Sequence, residues 1–505
     1  MAQIPPSLLA QPARKHEAVS DADYCQMVRA FPTSAFLHEL CDLSADLMAG
    51  EWELRVGHYL VTPWALADMA RVSIAQSNEF RRGIPTRQSV LRCASAYTQI
   101  DDPDLRRGDP DAFERFFLRT ASQQLDFQSG PIHEIARTAL LCSTNPKKSL
   151  EVMVDGWDRE LLGCSLDEYL AVGELILYGH HANRGQFSSS FFSHPDIKGM
   201  FGGITPAQLE HIYVGNFVQD VTQFKTAVGP NARPADYRRM TFNPLVAAPA
   251  ITGLGPLDYV PVSALVVRKV SPLGLYYSGL AHFGEAFARD MGQLFEAYVG
   301  DNLQLCPEVV VHPEVTYGKS SQKSVDWILV TRTAVVLVEA KSVRPTEEVR
   351  VGGPGAAAAL QRMLEKAGRQ IQRTSEEIDN GNPAFAHIPT DRPRVGLIAT
   401  IADFHVLNAD PIRQFAGLQA QLPTVIGSIG EIETVVNNVP DLAQFLLQVA
   451  TAHPSTGNSI RSGLKGYGPT RENPILMHAW ESGLLHANLR AMIESRGDET
   501  LNSTE

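Results

Sequence analysis

Residues 324–342 read SVDWILVTRTAVVLVEAKS, and the pairing of the two halves of this stretch decides the fold around it. Two apolar, β-branched runs flank a short polar centre, the pattern of two buried strands joined by a tight turn. Into that apolar stretch the sequence sets Asp326, Glu339 and Lys341. A charge in a buried strand costs several kcal/mol unless it is paired or binds a cation. Something has to make this placement tolerable.

Taking Arg332 and Thr333 as a two-residue turn makes Asp326 and Glu339 direct cross-strand neighbours, with Cβ atoms about 4.5–5.5 Å apart. Lys341 leaves the same face, while Trp327, Leu329, Val336, Val338 and Ala340 line the other. Arg-Thr is not a favoured type I′ pair, and a longer loop that slipped the register by one would separate the carboxylates. Adjacent carboxylates repel, so one is protonated or a cation sits between them. Oxygen ligands with room for water suit Mg²⁺ or Mn²⁺. A lysine beside such a cation can act on a water or on a phosphate.

These residues resemble the PD-(D/E)XK nuclease superfamily: Asp326, then Glu339-Ala340-Lys341 on the next strand, with Val325 where the family's name has proline. Upstream, GQLFEAYVGDNL is similar to the family's first core helix, which carries an acidic member of the metal site. Glu296 matches that position, with Glu285 a second candidate further up the pattern. In KAGRQIQ, Gln370 resembles a glutamine often found after the ExK strand.

The resemblance spans residues 280–410. It implies a restriction-endonuclease-like αβββαβ core and divalent-metal-dependent cleavage of DNA, less often RNA. Asp326, Glu339 and Glu296 would then bind Mg²⁺ or Mn²⁺, Lys341 would act on the attacking water or scissile phosphate, and Gln370 would orient the site. Restriction or anti-phage defence is the expected setting. A DNA-repair or mobile-element nuclease shares the chemistry, and a catalytically inactive binding or assembly protein is the alternative of a different class. Enzymes of this fold often pair two active sites to cut both strands, so a homo-oligomer is expected.

The fold class expected is α/β (α+β), with a large, mainly α-helical N-terminal domain before the nuclease-like core. The spacing predicts a loose arm over 1–20, helices over 20–235, a connector with short strands over 236–275, and a helix and tail over 451–505; the resemblance implies that 276–450 forms the nuclease-like domain. Ser165 and Asp111 are expected helix caps. Between Lys341 and Arg373 seven basic residues face three glutamates. Of these, Arg344, Arg362, Lys366, Arg369 and Arg373 are candidate nucleic-acid contacts. The Gly-rich VGGPGA loop (351–356) is expected to be a mobile segment beside the cleft.

The whole 505-residue chain is 44% hydrophobic and 20% charged, with net charge −12. That balance excludes a protein that coats nucleic acid through bulk charge, though not an enzyme with a local basic track. No apolar run approaches a membrane span, and the N-terminus lacks the apolar region of a secretory signal. The six cysteines stand singly, without a CxxC pair, which indicates reduced thiols in a cytoplasmic protein. His180, His181 and His194 in YGHHANRGQFSSSFFSH read as loop or core histidines rather than ligands.

Overall fold

The computed structural model describes residues 19–490, apart from 189, 202, 230–232, 405, 419–420, 453–458 and 469. Nearly all of the expected arm and the tail beyond 490 lie outside the described residues. The hairpin forms with the register that a two-residue Arg332-Thr333 turn requires: Trp327 pairs with Val338, Ile328 with Leu337, Leu329 with Val336 and Val330 with Val335. Thr331 N–H donates to the Ala334 carbonyl at 3.1 Å. The Thr331 hydroxyl accepts the N–H groups of Thr333 (3.3 Å) and Ala334 (3.2 Å). A hydroxyl folded back onto its own turn supplies what Asn-Gly would supply through positive φ. Among the described non-glycine residues, positive φ occurs only at Asp111, Arg184, Glu308 and Ser321.

The hairpin lies in a five-stranded mixed sheet. Its strands are β1 (Val310–Pro313), β2 (Trp327–Val330), β3 (Val335–Lys341), β4 (Arg394–Thr400) and β5 (Thr424–Ser428). The spatial order is β5-β4-β3-β2-β1. The pairs β1/β2 and β2/β3 are antiparallel, and β3/β4 and β4/β5 are parallel. A parallel neighbour needs a crossover, and the 24-residue helix Ala356–Asp379 provides it between β3 and β4.

That helix lays Leu360, Leu364, Ala367 and Ile371 against Ile328, Leu337 and Ile398 on one face of the sheet. On the other face α1 (Glu285–Leu303) packs Phe295, Tyr298 and Val299 against Leu329, Val336 and Val338. Hence α2 (Ala356–Asp379) and α1 cover both faces, which is why β3 reads as an unbroken apolar run.

Three local features shape the core around the hairpin. Residues 272–303 form two helices, Pro272–Phe283 and α1, broken at Gly284. Its φ of 67° with ψ −150° suits glycine alone. After α1 the chain forms β1 and then Thr316–Tyr317, the latter pairing with Gln322–Lys323. A fifth strand, β5, extends the sheet beyond the αβββαβ set.

The first half is mainly helical. Ser165 forms a capping box with Glu168, whereas Asp111 sits at its N-cap with φ 57° and no side-chain capping bond. Residues 236–275 are woven into this half rather than strung between domains. Ala250–Thr252 and Leu257–Tyr259 complete a four-stranded sheet with Gln186–Ser188 and Val218–Asp220. Leu245, Ile251 and Leu265 share a core with Tyr24, Phe36 and Leu66. A second core runs without a break from Ile135 and Leu175 through α1 to β4 and Leu446. No helix of the described residues is long and apolar enough to cross a membrane.

Candidate active site

Asp326 directly precedes β2 and Glu339 lies in β3, so the ladder register sets them opposite each other. The Asp326 carboxylate accepts the Ala340 N–H at 2.8 Å. Lys341 Nζ donates to Glu339 Oε1. Glu339 is 1% exposed and Asp326 8%, whereas Lys341 is half-buried. Glu339 reaches this depth because β3 is the middle strand, where Glu339 pairs with Ile398 of β4.

Burial pushes the Asp326 carboxyl above its ordinary range. The charges of Glu296 and Glu314 add to that, and the Ala340 N–H and Lys341 oppose it. Burial also raises Glu339, reinforced by Asp326 and opposed by Lys341. Glu339 Oε2 is buried without a hydrogen-bond partner. Oxygen-only donors, an orphaned buried carboxylate oxygen and two acids that share a single lysine fit a hard divalent cation, Mg²⁺ or Mn²⁺.

Glu296 stands at the edge of this pair. Its charge reaches Asp326, but its carboxylate is held by Lys147 at 3.1 Å. Its backbone carbonyl accepts the Trp327 indole N–H at 3.0 Å, fastening α1 to β2. No group of three or more His, Cys, Asp or Glu side chains among the described residues is arranged to hold a metal. Glu285 begins α1, about 16 Å along the axis from Glu296, and takes no part in the pair.

Gln370 is bonded to the chain two residues ahead of Asp326. Its amide donates to the Ser324 carbonyl at 2.6 Å, and the Thr374 hydroxyl accepts the Val325 N–H at 3.1 Å. In this way α2 fixes the chain that leads into Asp326. Arg362, Lys366, Arg369 and Arg373 are exposed on α2, and their spacing puts them on one stripe. Arg369 pairs with Glu365 at 2.6 Å, and Arg373 donates to the Lys323 carbonyl at 3.1 Å. Arg344 lies apart from the stripe, its guanidinium 4.3 and 5.0 Å from the ring centres of Tyr276 and Tyr277.

Two residues of the neighbourhood carry no sequence signal comparable to the hairpin's. Lys147 comes from the NPKKS segment of the helical half, and its ammonium sits 4.2 Å from the Trp327 ring centre as well as on Glu296. Glu314, paired with Lys323 at 2.8 Å, follows β1 and faces the pair from the sheet edge. His180 is buried, and burial lowers its imidazole to about 4, leaving a neutral core histidine. All six cysteines are free. No protein-family model matches the chain, and comparison with curated proteins and with solved structures found no match.

Proposed function

We propose that this chain is a divalent-metal-dependent endonuclease that hydrolyses DNA phosphodiester bonds, its sheet, α1 and α2 forming a restriction-endonuclease-like core. The observation that carries the reading is the Asp326–Glu339 pair: two buried acids face each other beside a lysine, with one oxygen unpartnered. Two such acids are stable together only with a shared proton or a cation. Asp326 and Glu339 would hold Mg²⁺ or Mn²⁺, with Glu296, paired with Lys147, a further carboxylate within charge range of Asp326. When bound, the cation supplies Lewis-acid stabilisation of the charge that builds on the phosphate.

The remaining roles fall to the chain itself. Lys341, relieved of Glu339, orients the attacking water or neutralises a phosphate oxygen. Gln370 and Thr374 keep the 324–326 segment in place. The α2 stripe tracks the nucleic-acid backbone, a local basic track on an acidic protein. A homo-oligomer would bring two such sites to the two strands of a duplex, and restriction or anti-phage defence is the setting that this chemistry serves.

A second reading, a nuclease-like fold that binds nucleic acid or partners without cutting, is favoured by the Lys341–Glu339 contact and the Lys147–Glu296 pair, which neutralise two of the three acids internally. The deciding experiment is a cleavage assay on circular, linear and single-stranded DNA and on RNA, with Mg²⁺, Mn²⁺ or EDTA. Wild type is run beside Glu339→Ala and Lys341→Ala. Metal-dependent cutting lost in both variants supports the nuclease. Cutting that survives both removes the hairpin from the chemistry, and binding without cutting favours the second reading.

A further inference from the structure

A cleft of about 890 Å³ opens between the helical half and the segment that follows Lys341, a size in the range of small-molecule sites. Its walls come from the Pro63–Gln76 helix, residues 239–247, the helices Ser263–Val270 and Pro272–Phe283, and residues 344–351. Its cations outnumber the carboxylates available to them. Lys269 is 9% exposed, and among the described residues its ammonium has only the Ser278 hydroxyl, at 3.5 Å. No carboxylate pairs with Lys269 or with Arg344 among the described residues. Asp126 serves both Arg268 (3.0 Å) and Arg350 (3.9 Å).

The acids on the wall are already paired: Asp68 with Arg71, which also lines the cleft, and with Arg238, and Glu347 with Arg233. Burial lowers the Lys269 ammonium to about 8, so it stays mainly charged at neutral pH. Burial and the neighbouring Arg350 also lower Arg268. Arg268 and Lys269 end the helix Ser263–Val270, where cations complement the dipole. That accounts for their place on the helix but leaves the buried ammonium without an anion.

The same cleft holds two part-exposed aromatic rings, one of which, Tyr277, carries the Arg344 guanidinium 5.0 Å from its centre. Phe242 is 39% exposed and Tyr277 38%, although both are large apolar side chains. A bare inorganic anion would answer the cations and leave these faces and most of the volume empty. We infer that the cleft binds a nucleotide, its phosphate meeting Lys269 and its base lying against Phe242 and Tyr277. Charge-assisted hydrogen bonds to a phosphate and stacking of a base on an aromatic ring are the two contacts that such a lining offers. The site is distinct from the carboxylate pair and does not depend on it.

Isothermal titration calorimetry on the full chain tests this, with the four nucleoside triphosphates, adenosine monophosphate, adenosine and inorganic phosphate as probes. At least one nucleotide should bind, with adenosine and phosphate each weaker by about tenfold or more, the loss of one charge-assisted or stacking contact. Lys269→Met keeps the length of the side chain and removes an unpaired buried charge; it should weaken nucleotide binding about tenfold or more. Tyr277→Leu alters a half-exposed residue, so the fold persists, and it should weaken the nucleotide but not phosphate. No binding of any nucleotide to wild type overturns the inference, as does binding that both variants leave unchanged. Phosphate bound as tightly as the best nucleotide reduces the cleft to a simple anion site and equally overturns it.

Discussion

The Asp326 carboxylate is bonded across the hairpin to the Ala340 N–H, at 2.8 Å, so an acid placed for chemistry also closes the ladder one step beyond its last apolar pair. The two roles separate in Asp326→Asn, which keeps an oxygen to accept that N–H and loses the charge. The expected outcome is an unchanged or raised melting temperature with metal-dependent cleavage reduced about 100-fold or more. Asp326→Ala strands the N–H as well and should cost about 1–3 kcal/mol of stability. Thermal denaturation beside cleavage rates checks both. Equal loss of stability in the two variants would make Asp326 a structural residue.

Glu339 links stability to pH. Because burial and Asp326 raise its carboxyl, the folded chain holds that proton more tightly than the unfolded chain does. The stability this contributes is complete below the ordinary carboxyl value of about 4 and is lost as pH rises through the raised value, at about 1.4 kcal/mol for each pH unit between the two. In EDTA, Glu339→Gln should therefore gain on wild type between about pH 6 and about pH 8. Mg²⁺ must displace the proton, so it should raise the wild-type melting temperature more at the higher pH. It should leave Glu339→Gln nearly unmoved. Scanning fluorimetry over this range reads both effects; a Mg²⁺-induced rise retained by Glu339→Gln would place the cation elsewhere.

The hairpin was legible because its information is local: alternation fixes the faces, and Thr331 fixes the turn through bonds within three residues. The partnership of Glu296 with Lys147 was not, since it spans 149 positions and depends on how the helical half docks. The same docking changes the VGGPGA loop, whose composition suggests mobility. In the fold Arg119 donates to the Val351 carbonyl at 2.9 Å and Glu348 accepts the Gly355 N–H at 2.7 Å. Gly352, at φ 56°, lies against the Arg115 backbone. Glycine there permits close approach between the two halves. The connector over 236–275 misleads for a similar reason: short strands rich in Pro and Gly look like a linker until their partners, Gln186–Ser188 and Val218–Asp220, are in place.

Gly300 tests how tightly α1 governs the site. A Cβ at this position would overlap the Trp327 indole, whose N–H is bonded to the Glu296 carbonyl. Trp327 immediately follows Asp326, so displacing the ring displaces the acid. Gly300→Ala gains helix propensity of about 1 kcal/mol and incurs an overpacking cost of about 1–3 kcal/mol. A net loss of stability is expected, together with weaker Mg²⁺ binding, although no ligand has been touched. A variant as stable and as Mg²⁺-responsive as wild type would show that α1 and β2 have room to separate.

The α2 stripe should register as salt dependence. Arg362 and Lys366 make no ion pair among the described residues, whereas Arg369 is paired with Glu365 and Arg373 is committed to the Lys323 carbonyl. If the stripe tracks phosphates, Arg362→Gln and Lys366→Gln should each lower the slope of log affinity against log salt by about 1, and the paired residues by less. Arg344→Gln, whose guanidinium lies on Tyr276 and Tyr277 instead, should leave the slope alone. Fluorescence anisotropy with a labelled duplex, in a Glu339→Gln background that prevents cutting, measures this directly. Equal slopes for all variants would move the nucleic-acid path off α2, and a change in slope from Arg344→Gln alone would move it to the cleft.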